Sequence, residues 1–62
     1  MEEKTLEFTL HHKGAKERKW MLRTFVTILG YVERGLDIKI DYSITFKDDI
    51  KGTEVIYKSL LN

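Results

Sequence analysis

Between Leu36 and Phe46 apolar and polar residues alternate without a break. Leu36, Ile38, Ile40, Tyr42, Ile44 and Phe46 fall on one side, and Asp37, Lys39, Asp41, Ser43 and Thr45 on the other. Successive side chains of a strand point to opposite faces, so this run predicts a strand with one face on a core and one in water. Residues 4–12 repeat the pattern, with Leu6, Phe8, Leu10 and His12 against Thr5, Glu7, Thr9 and His11. Between these runs the period changes. Met21, Leu22, Phe25, Ile28, Leu29 and Val32 recur at spacings of three and four, which predicts a helix over 15–34. Gly14 suits its start, and Gly35 is the expected left-handed residue at its end. The loop KDDIKG then turns the chain, and residues 53–61 form a third strand.

That third strand differs from the other two. Val55, Tyr57 and Leu61 share one face, but Ile56 and Leu60 are apolar on the other. A strand apolar on both faces is expected at the centre of a sheet. The expectation is therefore an α+β, two-layer β-α-β-β domain over 1–62, with one helix on a three-stranded sheet. The order 1-3-2 is half of a ferredoxin-like split unit. Its core is expected to hold Leu6, Phe8, Leu10, Phe25, Leu29, Val32, Ile38, Ile40, Ile44 and Val55.

Size sharpens this picture. Sixty-two residues bury only about 60% of their unfolded surface. With no cysteine, no disulfide reinforces that core. One helix also leaves one sheet face bare and both outer edges unpaired. Self-association is the expected remedy, through a surface that includes Tyr31, Ile56 and Leu60. The start MEEK is acidic and no apolar segment follows, so neither a signal peptide nor a membrane span is expected. A soluble, cytoplasmic protein is the corresponding expectation.

Net charge is +1, but it is unevenly spread. Residues 11–23 hold five Lys/Arg against the single acid Glu17, while the remainder holds six bases and nine acids. Lys13, Lys16, Lys19 and Arg23, with Trp20 among them, crowd the expected helix start. Acids are the favoured residues there, because the unpaired N–H groups of a first turn carry positive partial charge. The same N–H groups with the lysines form an anion site, on which Trp20 could stack a base.

Catalytic and metal chemistry find no pattern. His11 and His12 point to opposite faces of a strand, and no HxxxH spacing occurs. Ser43 and Ser59 have no base nearby in sequence, and the GxxxxGK[ST] phosphate loop is missing. No enzyme activity, cofactor or metal is expected. Three functional readings follow in order. The first is a small non-catalytic protein-interaction module, of regulator or inhibitor type, acting as a homo-oligomer or on an acidic protein. The second is nucleic-acid or phosphate binding through residues 13–23. The third is an engineered or de novo scaffold without a natural function, suggested by the regularity of the 36–46 strand.

Overall fold

The structure, a computed structural model, describes residues 2–59. The elements run β1 (Glu2–His12), α1 (Ala15–Leu36), β2 (Ile38–Asp48) and β3 (Glu54–Lys58). One helix lies on a three-stranded mixed sheet, so the α+β, two-layer β-α-β-β architecture stands.

The strand order does not follow the expectation. The sheet runs β1-β2-β3, with β2 in the middle, rather than 1-3-2. β1 and β2 pair in parallel over eleven positions, from Glu2 against Ile38 to His12 against Asp48. β3 pairs antiparallel with β2 over five, from Ser43 against Lys58 to Lys47 against Glu54. Length explains the outcome. A five-residue strand placed centrally would leave half of each eleven-residue strand without ladder partners, and unpaired backbone groups are costly. The two-sided apolar pattern of 53–61 was a poor guide, because β3 ends at Lys58 and Ile56 is exposed. Leu60 and Leu61 lie outside the described residues.

Even-numbered residues of β1 and β2 share the face under the helix. Ile40, Ile44 and Phe46 are buried there with Leu29 of the helix, and Phe46 packs edge-on against Tyr57 of β3. Phe8 of β1 meets Phe25 of α1 edge-on, with ring centroids 4.7 Å apart. The helix therefore lies above the β1–β2 pair. A helix with side chains is about 10–12 Å across and strands are about 4.8 Å apart, so one helix covers roughly two strands, not three. Val32 and Leu6, expected in the core, remain 37% and 38% exposed at the β1 side. Ile28 of the apolar stripe is 50% exposed.

The helix ends two residues later than expected. Gly35 is helical, and the left-handed position falls on Asp37 (φ 53°), whose N–H donates to Glu33 O. Asp tolerates that conformation better than most residues. Leu36 thus belongs to the helix end, not to β2, and one residue links helix to strand. Below the end of β3, the Glu33 carboxylate accepts the Ile40 N–H at 2.7 Å. The Ser59 Oγ in turn receives the Tyr42 N–H at 3.2 Å.

At the opposite end of the sheet, Asp48 organises the hairpin. Its Oδ1 accepts the N–H groups of Ile50 and Lys51, each at 2.9 Å. Its carbonyl accepts the N–H of Gly52, which sits at φ 74°. The turn is tied back to β1 by the Asp49 N–H on His12 O at 2.8 Å. These backbone N–H donors hold the Asp48 carboxyl below the usual aspartate range, helped by the nearby His12 and Lys51. His11 and His12 diverge as alternation requires. His11 faces solvent and meets Asp49 at 2.9 Å, whereas His12 is buried beside Phe46.

Candidate functional site

Because the helix sits over β1 and β2, the strip between its other flank and β3 is left open. An open groove of about 840 Å³ lies there. Its floor is Tyr42 of β2 and Tyr57 of β3, and its helix wall carries Leu22, Val26 and Thr27. Lys16, Lys19, Trp20 and Arg23 stand along that wall, and Lys58 completes the rim from the end of β3.

Helical spacing accounts for the wall. Residues 16, 19, 20, 23, 26 and 27 recur at intervals of three and four and so share one flank. Val26 leans toward the sheet and is half-buried, while Trp20 is 66% exposed at the lip. The floor follows from strand register. Tyr57 lies opposite Ile44, and Tyr42 occupies the next position on the same face of β2. Four cations and three aromatic rings thus border one groove, with no acidic side chain among its described lining residues. Over such an open groove, positive charges act together on an anion, while the rings offer flat apolar faces.

Four of the five residues that charge clustering singled out line the groove: Lys16, Lys19, Trp20 and Arg23. Lys13 does not. It sits in the link before the helix, where its N–H donates to Glu17 Oε1 at 3.1 Å. Glu17 is the acid of the first turn, which answers part of the charge problem at this helix start. No side chain caps the helix; Gly14 precedes it at φ 150°, a conformation open mainly to glycine. Tyr42, Tyr57 and Lys58 were not marked as site residues by sequence reasoning. Alternation placed both tyrosines on the core face, but only the offset of the helix uncovers them.

Of the three residues expected at an oligomer surface, the two described ones, Tyr31 and Ile56, lie on different faces of the molecule. Tyr31 is on the outer side of the helix, where the Arg34 guanidinium lies 4.9 Å from its ring centroid. Ile56 is on the open sheet face, beside Thr45. Leu60 lies outside the described residues.

Among the described residues no helix is long and apolar enough to cross a membrane, and no three His, Asp or Glu side chains converge on a point. Comparison of the chain with protein-family models, with curated proteins and with solved structures finds no match.

Proposed function

We propose that the groove binds single-stranded nucleic acid, without catalysis. One observation carries this reading: Lys16, Lys19 and Arg23 stand with Trp20 above Tyr42 and Tyr57, with Lys58 at the rim, in an open groove that has no acidic residue among its described lining. Single strands are held by that combination, since cations follow the phosphates while exposed bases stack on rings. A rigid duplex is a poorer fit, because its bases are already stacked. The reading also gives the bases near the helix start a use, which a merely solvated face would not.

Trp20 is the single tryptophan and stands at the groove lip, so it reports occupancy directly. Titration with a short oligothymidylate at low salt should quench its fluorescence. Each phosphate contact on a single strand contributes about −0.7 to the slope of log K against log salt, so four cations imply a slope near −3 at most. Lys19→Glu with Arg23→Glu should remove most of the affinity. Polyglutamate offers the same charge without bases to stack. If it binds as well as the oligonucleotide, the partner is an acidic protein segment instead. Absence of quenching by either polymer at low salt rejects the groove as a polyanion site.

A further inference from the structure

The other side of the molecule carries a surface that the groove does not involve. β1 is an edge strand of eleven residues with nothing paired to its outer edge among the described residues. Phe25 of the helix meets Phe8 of β1. Ile28 and Val32, one and two turns further along that side of the helix, are 50% and 37% exposed, and Leu6, next to Phe8 on the same strand face, is 38% exposed. A long bare strand edge next to apolar side chains is a template for strand addition.

We infer that the occupant is a second copy of this chain, paired antiparallel through β1 about a twofold axis at Phe8. Three features of the strand select this partner and register. First, charge is uneven along β1: Glu2, Glu3 and Glu7 outweigh Lys4 within the strand, and Lys13 stands just past its end. Parallel pairing in register would set like charges side by side, whereas antiparallel pairing sets Glu3 of one copy opposite Lys13 of the other. Second, a register about Phe8 places Leu6 opposite Leu10, so the two apolar faces join. A register about Glu7 would set two glutamates against each other, and one about Thr9 would set Lys13 opposite Thr5 rather than Glu3. Third, an axis through a residue keeps both helices on the same side of the joined sheet. Strands are about 4.8 Å apart and each helix lies above its β1–β2 pair, so the two helices would stand roughly 10 Å apart. That is the upper end of ordinary helix packing distances, and Ile28 and Val32 of the two copies fill the space between.

The result is a six-stranded sheet with two helices on one face and a groove at each outer end. The pairing does not depend on what the groove binds. An isologous interface repeats each contact, so a single substitution counts twice.

Sedimentation of the full chain over a concentration series should show a monomer–dimer equilibrium. Ile28→Glu should raise the dissociation constant by at least about 100-fold, as for a central interface residue, while its helical circular dichroism stays at the parent level. Glu3→Lys alone, and Lys13→Glu alone, should each weaken the dimer by roughly 10-fold, since each replaces two attractive exposed pairs by repulsive ones. The double reversal Glu3→Lys with Lys13→Glu should restore parental affinity. This swap also serves if Ile28→Glu proves unfolded, because both positions are exposed. Trp20 quenching per protomer by a short oligonucleotide should be unchanged in Ile28→Glu. A parent that stays monomeric at several hundred micromolar overturns the proposal. So does an Ile28→Glu protein as dimeric as the parent, or a double reversal no tighter than either single one.

Discussion

The two flanks of α1 differ in what lies beside them. Toward β1 the helix is apolar, with Phe25 against Phe8 and Ile28 and Val32 at the margin. Toward β3 it presents Lys16, Lys19, Trp20 and Arg23 over an open groove. The difference comes from one fact of size: a single helix covers about two strands. Shifted over β1 and β2, it buries Ile40, Ile44 and Phe46 under its centre and leaves the floor at β3 uncovered. The flank that stands off β3 is the flank that carries the charge. Packing and binding are thus assigned to opposite sides of one element, and substitution should separate them.

The largest expected effect tests that separation. Phe25→Ala removes the ring that meets Phe8 on the β1 side. It should cost about 3 kcal/mol, the low end for a Phe→Ala change because the ring is half-buried. A domain of this size has about 3–9 kcal/mol in total, so melting should shift by many degrees. Trp20→Ala on the other flank should change stability by under about 0.5 kcal/mol, as at most exposed positions. It should nevertheless weaken oligonucleotide binding by about 1–3 kcal/mol, the range for one lost stacking partner. Thermal melts and binding isotherms on the two variants check this together, with a second fluorophore replacing Trp20 as reporter. If Trp20→Ala melts as early as Phe25→Ala, the Trp is a packing residue and the contrast between flanks fails.

Those two positions also show what could be read from sequence. Alternation identified β1 and β2, and with them the face that holds Ile40, Ile44 and Phe46. Three-and-four spacing identified the helix and its apolar stripe. What periodicity does not contain is lateral position. Nothing in the spacing of Val32 or Ile28 says whether the helix is centred on the sheet or shifted, so Val32 was expected in the core and is at its margin. Strand order failed for a related reason. Ile56 and Leu60 suggested a central third strand, but strand length decided the order, and among the described residues β3 pairs only over Glu54–Lys58. For the groove, the cations were legible because they cluster within one helical flank. Tyr42, Tyr57 and Lys58 come from two other elements and become a site only through register.

Acid sharpens the comparison further, because the groove and the fold should respond differently. Lysines and an arginine line the groove, whereas the hairpin is organised by the Asp48 carboxylate. Its folded pKa lies below the ordinary value, lowered first by the N–H groups of Lys51 and Ile50. A carboxylate depressed in the folded state adds stability that is fully present above the unfolded pKa, near 3.9 for aspartate, and is lost as pH falls through the folded value. Stability should therefore be level through mild acid and decline below about pH 4. Binding should persist until the chain itself opens. Asp48→Asn should make the acid limb of the stability profile shallower, read from melting temperatures between neutral and strongly acidic buffers. An unaltered acid limb in that variant would remove Asp48 as its source.

The smallest expected effect concerns a single charge. Lys16 is in the first turn of α1, one residue before Glu17, and no side chain caps that end. A positive charge there opposes the partial positive charge of the unpaired N–H groups. Lys16→Glu should reverse that and stabilise the chain by about 0.3–1 kcal/mol at low salt. The same residue lines the groove. Replacing it with Glu puts a negative charge beside the phosphates and should weaken oligonucleotide binding, with a shallower dependence on salt. Opposite movement of stability and affinity is what a binding flank requires, because the residue is then better suited to a ligand than to its own helix. Glu17 makes the control: Glu17→Gln should lose stability, by removing a favourable first-turn charge and weakening the acceptor for Lys13 N–H. A melt and a salt-titrated isotherm on both variants would decide it. Should Lys16→Glu gain stability while binding stays at the parental level, the cation matters only to the helix, and the groove must be held by Lys19, Arg23 and Lys58 without it.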